Sequence, residues 1–305
     1  MGEFADGIVD SGGVEIAVRD YGGDGPPLVL VHGNGLSLAS FDAMVPHLRD
    51  RFRLVSYDIR RQGLSGEGPF TWDTALADLE AVITHFGLDA PAIAGHSLGG
   101  MIAALYGGTD RPCRAAVNLD GHGLGIGIPA DDPGEAATRA RLKALSDEAV
   151  DSHFNPIPAA ALDAQFASIP EDKREAVRAS TMRQLVQQPD GSFRLRLTRE
   201  SIDEVMDAVN GTDLFDVYRD CKCPLLIVNA TKNDPSIAAQ SPEMAELMPA
   251  RRATLAENLR QLADSNHHIE VVEVDATHGL IAEIPEELSK IVAGFIARTP
   301  ESAVD

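Results

Sequence analysis

Short, unbroken apolar runs alternate along this chain with longer segments in which apolar residues recur every three or four positions. The runs at 27–31, 52–58, 92–96, 115–120, 224–229 and 269–274 show little polar alternation, the pattern of strands buried on both faces in a parallel sheet. Helix-like spacing predicts helices after residue 97 and over 135–150, 158–169, 171–188, 198–209, 250–263 and 285–297, with Arg251, Arg252 and Arg260 on the polar side of 250–263. Residues 7–21 alternate like a hairpin, with Ser11-Gly12-Gly13 at its turn. Strands alternating with helices up to 120 and again from 224 imply one interrupted sheet. The stretch between is helical and polar, punctuated by Pro156, Pro158, Pro170 and Pro189-Asp190-Gly191. Residues 298–305 are expected to fray.

The densest chemical signal is Gly95-His96-Ser97-Leu98-Gly99, which follows an apolar strand and opens an apolar helix. In that context Gly-x-Ser-x-Gly predicts a sharp strand-to-helix turn that exposes the Ser97 hydroxyl above the sheet, with glycines letting the two elements pass closely. A hydroxyl is a weak nucleophile at neutral pH, so a base, an acid to orient it and an oxyanion site must be found elsewhere. The run at 27–31 ends in His32-Gly33-Asn34-Gly35, a glycine-bearing loop able to aim backbone N–H groups at an incoming oxygen. Asn34 N–H and Leu98 N–H are the expected donors, with Gly33 beside them and His32 supporting the loop.

His32-Gly33, Asp58-x-Arg60-x-x-Gly63-x-Ser65, Gly95-His96-Ser97-Leu98-Gly99-Gly100 and Thr277-His278-Gly279 together resemble the α/β-hydrolase superfamily, in its order and across most of the chain. One departure is Arg61-Gln62, where members often carry Gly and then His. The resemblance implies an α/β fold with a mostly parallel central sheet flanked by helices. Residues 1–123 and 221–305 form its core, and 124–220 a helical cap, or lid, inserted between two strands. It also implies the order nucleophile, acid, histidine. His278, in a loop after a strand, is then the base, whereas His267 and His268 lie at that strand's wrong end and His47, His85 and His153 in polar or helical contexts.

Two aspartates compete for the acid. Asp234 follows the 224–229 strand, where most members carry it, but counting from Pro224 puts the common slot on Asn233. Asp120 ends the preceding strand and enters Gly121-His122-Gly123, where certain lactone hydrolases place theirs. Asp120 is preferred, and His122 would contact substrate in the same pocket.

The resemblance therefore implies a serine hydrolase cleaving a small carboxylic ester, thioester or lactone through an acyl-enzyme on Ser97, with no cofactor or metal. The same frame also supports C–C bond hydrolysis, amide cleavage, acyl transfer and perhydrolysis, or a non-hydrolytic ligand-binding or pericyclase-like member. Serine at 97 excludes the aspartate nucleophile of dehalogenases and epoxide hydrolases.

Charge narrows the partners. Twenty-six Lys and Arg against 47 acidic residues give a formal charge of −21, which repels nucleic acid and anionic membrane. Three cysteines cannot all pair, and Cys221-x-Cys223 lacks a second pair of metal ligands, so reduced thiols in a cytoplasmic setting are expected. The first six residues lack the apolar stretch of a signal peptide, and no run approaches the ~20 apolar residues of a membrane span.

Overall fold

The computed structural model describes residues 4–122, 141, 144, 154–233 and 242–299. Its main sheet contains β1 (Ala5–Ser11), β2 (Val14–Gly22), β3 (Pro27–Val31), β4 (Arg53–Tyr57), β5 (Ala92–His96), β6 (Ala115–Leu119), β9 (Leu225–Ala230) and β10 (Ile269–Val274). Their order is β1-β2-β4-β3-β5-β6-β9-β10. The β1–β2 and β2–β4 pairs are antiparallel and all the others parallel. Gly12 and Gly13, at φ 62° and 87°, make the β1–β2 turn expected from the sequence.

Helices α1 (Val45–Leu48), α2 (Trp72–His85) and α3 (Leu98–Gly107) precede β6 or follow β5. Helices α4 (Ala159–Ala167), α5 (Glu171–Arg183), α6 (Arg199–Asn210) and α7 (Leu214–Arg219) lie between β6 and β9. Helices α8 (Pro242–Ser265), α9 (Leu280–Glu283) and α10 (Pro285–Arg298) complete the described set.

Alternate residues of the central strands feed two cores, one on each face. Val29, Val31, Ile93 and Ile227 pack with Leu79 and Val82 of α2 and Met101 and Ile102 of α3. Leu28, Leu30, Ala94, Val117 and Val228 pack with Val292, Phe295 and Ile296 of α10. Burying one Val or Leu side chain contributes about 1.5–3 kcal/mol, and both faces use it, which is why these runs show no polar alternation.

Three expectations are corrected. Helix α5 ends at Arg183, short of the expected 188, and β7 (Leu185–Gln187) pairs antiparallel with β8 (Phe193–Leu195) instead. Pro189-Asp190-Gly191 turns this hairpin, with Gly191 at φ 85° and the Asp190 carboxylate accepting from Ser192 N–H and Oγ. Leu185 is thereby buried with Leu162 and Phe166 of α4, a non-local gain that helical spacing does not reveal. Helix α8 starts at Pro242 and runs through Pro249. Its expected polar side turns partly inward: Arg251 is buried, and Arg252 Nη1 donates to Ala230 O at 2.7 Å. The helix expected over 135–150 and residues 300–305 lie outside the described residues.

The segment between β6 and β9 is tied to the sheet-bearing body by polar contacts. Arg183 Nε donates to Asp58 Oδ2 at 2.9 Å. Arg61 pairs with Glu200 and Glu204 of α6 at 3.2 and 2.9 Å. Trp72 Nε1 donates to Thr212 Oγ1 at 2.8 Å. No helix of the described residues is long and apolar enough to cross a membrane.

Candidate active site

Parallel register brings the carboxyl ends of β5, β6 and β9 into line: His96 pairs with Leu119, and Leu119 with Val228. The residues that follow emerge at one edge of the sheet, where ligand sites of open parallel sheets gather. Ser97 N–H donates to Leu119 O at 2.9 Å and Asp120 N–H to Val228 O at 2.8 Å, fixing both positions from the backbone.

Ser97 has φ 53° and ψ −118°, a conformation that ordinary residues avoid and that a rigid surround must impose. The surround here is the crossing of α3 over two strands. A Cβ on Gly95 would collide with Gly99 O, and one on Gly99 with Val31 O. Both glycines of the motif are therefore required by close approach.

His278, in the loop after β10, meets this serine. Its Nε2 lies 3.1 Å from Ser97 Oγ, and its Nδ1 lies 2.7 Å from Asp120 Oδ2. Asp120 also takes a positive φ, 56°, and its other oxygen accepts Ala230 N–H at 2.9 Å. Burial pushes the Asp120 carboxyl up, but the His278 hydrogen bond, the imidazoles of His122 and His278 and the Ala230 N–H outweigh it, holding the group below its ordinary range. The Asp120 carboxyl is thus an anion beside an imidazole whose Nε2 faces a hydroxyl, an arrangement able to pass a proton from oxygen to nitrogen. Asp234 lies outside the described residues, and Asn233 is exposed.

The 33–36 turn lies against the same serine. A Cβ on Gly33 would come within 3.0 Å of Ser97 Cβ, and Leu36 N–H closes the turn on Gly33 O at 3.1 Å. Gln62, at the position where the sequence departs from the usual pattern, clamps it. Its Nε2 donates to Asn34 Oδ1 at 2.9 Å and its Oε1 accepts Gly35 N–H at 2.7 Å. Leu98 begins α3, where the first N–H groups have no partner within the helix. Sequence reasoning missed the clamp, because Gln62 acts 27 and 28 residues away from its partners.

Three buried histidines surround this centre. His32 Nε2 accepts Ile59 N–H at 3.0 Å, so its Nδ1–H donates to Gly33 O at 2.7 Å and burial keeps the ring neutral. His96 Nε2–H donates to His278 O at 2.8 Å, and burial together with the nearby His278 pushes its pKa down to about 4. His122, expected to contact substrate, is 4% exposed, with Nδ1 3.2 Å from Tyr218 Oη and Nε2 3.9 Å from Asp120 Oδ1. It therefore faces Asp120 Oδ1, the oxygen that His278 does not contact.

Cys113, Cys221 and Cys223 are free, buried thiols, with Cys223 Sγ 3.4 Å from Cys113 Sγ and 3.9 Å from Cys221 Sγ. Their mutual contacts and burial push Cys221 and Cys223 far above the ordinary thiol range, so they stay protonated and unreactive. Among the described residues, no group of three or more His, Cys, Asp or Glu is arranged to hold a metal ion. A cavity of about 310 Å³ lined by Glu80, Thr84, Leu88, Asp89 and Tyr106 lies near Pro91 and Pro112, before the amino ends of β5 and β6, and so away from Ser97.

Comparison with known proteins gives this geometry a setting. The chain is 27% identical to 2-(acetamidomethylene)succinate hydrolase of Mesorhizobium japonicum over 248 residues, 79% of this chain and 83% of that one. It is 28% identical to N-formylmaleamate deformylase of Pseudomonas putida over 141 residues, 45% of this chain and 50% of that one. A match to the magnesium-chelatase 30 kDa subunit of Rhodobacter capsulatus, 35% identical, covers 32% of this chain, so the chain spans only 35% and 50% of the chelatase subunit and the deformylase. The crystal structure of E-2-(acetamidomethylene)succinate hydrolase has the same fold, with a TM-score of 0.67 at 22% identity over 97% of this chain and 100% of the other. The Alpha/beta hydrolase family model matches residues 28–291, and the chain belongs to that family.

Proposed function

We propose that this protein is a serine hydrolase that cleaves a carboxylic ester, thioester or lactone through an acyl-enzyme on Ser97. The reading rests on the unbroken series from Ser97 Oγ through the His278 ring to the Asp120 carboxylate, at 3.1 and 2.7 Å. His278 Nε2 takes the Ser97 proton as the oxygen attacks the substrate carbonyl, and the ionised Asp120 stabilises the imidazolium that forms. The N–H groups of Asn34 and Leu98 receive the developing oxyanion, the first on the loop that Gln62 clamps and the second at the start of α3. His278 then returns the proton to the leaving group, and water, activated by the same imidazole, releases the acyl group. No step requires a metal or cofactor.

Residues 124–220 serve in this reading as a cap over the serine. Its contacts at Asp58 and Arg61, and Leu197 Cδ2 lying 3.7 Å from where a Cβ on Gly35 would sit, support that assignment. The anionic chain fits a small-molecule substrate better than nucleic acid, and the three free thiols fit a reducing, cytoplasmic setting. The names of two relatives, an acetamidomethylene-succinate hydrolase and a formylmaleamate deformylase, favour one second reading: cleavage of a small N-acyl bond by the same series.

Incubation with a fluorophosphonate probe, followed by peptide mass spectrometry, tests the serine. Labelling is expected at Ser97 and to vanish in Ser97→Ala. A folded protein that leaves Ser97 unlabelled would remove the hydrolase assignment. Parallel assays on p-nitrophenyl esters, lactones and N-acyl enamides then separate the two substrate readings.

A further inference from the structure

Behind Asp120 lies a row of buried polar groups that the proposed chemistry does not use. Asn118 Nδ2 donates to Gly121 O at 3.0 Å and to Tyr218 Oη at 2.8 Å, while Asn118 Oδ1 accepts Gly121 N–H at 2.6 Å. The amide is fully committed. Burial pushes the Tyr218 phenol far above its ordinary range, so it keeps its proton, and that proton has two acceptors in reach: Gly121 O and His122 Nδ1, both at 3.2 Å. Gly121 O is already served by Asn118.

The remaining nitrogen, His122 Nε2, is buried with no hydrogen-bond partner and faces Asp120 Oδ1 at 3.9 Å. If Nδ1 carried the hydrogen, a bare lone pair would confront a carboxylate inside the protein. With Nδ1 accepting from Tyr218, the hydrogen sits on Nε2 and the ring dipole favours the anion.

Resting on the serine-hydrolase reading, we infer that His122 is a positioning residue for Asp120. Asn118 donates to Tyr218, Tyr218 donates to His122 Nδ1, and His122 Nε2–H faces Asp120 Oδ1, the oxygen that His278 does not use; this relay sets how readily the Asp120–His278 pair takes up a proton. The row links α7 to the end of β6. Besides Asp120, the charged and titratable groups that act on His122 are His278 after β10 and Arg252 on α8, and His96 at the end of β5 lies against His278 with its ring centroid 4.8 Å away. Burial is the main cause that pushes His122 down to about 4, with His278 and Arg252 acting in the same direction, so the ring stays neutral at working pH.

The sign of the effect follows. A neutral donor beside Asp120 offsets part of its negative potential at His278. Replacing it by an apolar ring leaves the pair more negative to an approaching proton, so protonation shifts to higher pH. The acid limb of activity moves the same way.

Imidazole ¹H–¹⁵N NMR of the whole protein tests this without a substrate. The ¹⁵N shifts of His122 are expected to report the Nε2–H tautomer, and the Nδ1–H tautomer would overturn the inference. The acid midpoint of Ser97 fluorophosphonate labelling, read as rate against pH, is expected to rise in His122→Phe by about one unit, a tenfold shift in proton concentration, and to return toward the parent value in His122→Gln, which restores a donor. Coincident titrations of the parent and His122→Phe, or equal shifts in the Phe and Gln variants, would also overturn it. Where His122→Phe does not fold, Tyr218→Phe, which removes one hydroxyl and keeps the ring, is expected to weaken the Nε2–H preference of His122, and ¹⁵N shifts identical to the parent's would overturn the inference. Fluorophosphonate labelling of the parent at Ser97, run beside these, fails only if the serine reading fails.

Discussion

Asp120 has the most exacting position in the site, since its carboxylate must be ionised although it is 7% exposed. Three parts of the chain surround it: the His278 ring, Ala230 N–H from β9, and its own turn, where a positive φ aims the side chain and His122 faces it. Asp120→Asn should leave the fold intact but present an amide to His278 Nδ1, favouring the wrong tautomer. The expected loss is about 10⁴-fold in kcat on p-nitrophenyl acetate, against little change for Asp234→Asn. The reverse ranking would transfer the acid to Asp234. The elbow at Ser97 is legible because it is local, a strand, turn and helix within about a dozen residues, whereas His278, 181 residues away, is reached only through the order that the resemblance implies. Asp120 against Asp234 is not legible, because the choice depends on β6 lying beside β9, a pairing across more than 100 residues that no local pattern encodes. The placement of His122 behind the acid is hidden for the same reason: its partner Tyr218 is 96 residues away.

At the scale of elements, the loop after β4 holds both the loop after β3 and the insert, the first through Gln62 and the second through Asp58 and Arg61. Gln62 fastens the Asn34–Gly35 peptide through both ends of its amide. Gln62→Ala should therefore lower kcat/KM about ten- to a hundredfold through a misplaced oxyanion donor, with the thermal midpoint nearly unchanged. Kinetics indistinguishable from the parent would remove Gln62 from the clamp. Arg183 is the counterpart from the insert. It closes on Asp58, which is fully buried and also accepts Leu38 N–H at 2.7 Å and Leu64 N–H at 2.8 Å. Arg183→Met leaves that buried carboxylate short of one charged partner, so urea unfolding should show a loss of about 2–4 kcal/mol. A loss under about 0.5 kcal/mol would mean the pair is as weak as an exposed one. The parallel strands are legible from their unbroken apolar runs, and the insert is less so. Its β7–β8 hairpin is three residues to a strand, too short for a period to declare itself, and is stabilised by burial against α4. The inward turn of Arg252 on α8 escapes a helical wheel, because the Ala230 carbonyl that faces it comes from β9.

For the whole molecule, the buried histidines make stability depend on pH. His96 and His122 each titrate near 4 in the folded chain because burial disfavours the charged ring, whereas an unfolded histidine titrates near 6.5. Between those values the unfolded chain binds more protons than the folded one, so stability is lost as pH falls through that window. Each ring contributes about 1.4 kcal/mol per pH unit there, and His32 acts in the same direction. Asp120, with its folded pKa depressed, adds a loss only at lower pH, below the ordinary carboxylate range. The opposing term is the formal charge of −21: acid relieves self-repulsion, but most carboxylates stay ionised above pH 5, and added salt screens what remains. Urea midpoints measured at pH 7, 6 and 5 in 0.15 M salt should fall steadily, and the slope should be shallower in His122→Gln, which has no ring to charge. A parent midpoint that is flat from pH 7 to 5 would show that these imidazoles do not resist protonation, and with that the neutral His122 donor behind Asp120 would lose its physical basis.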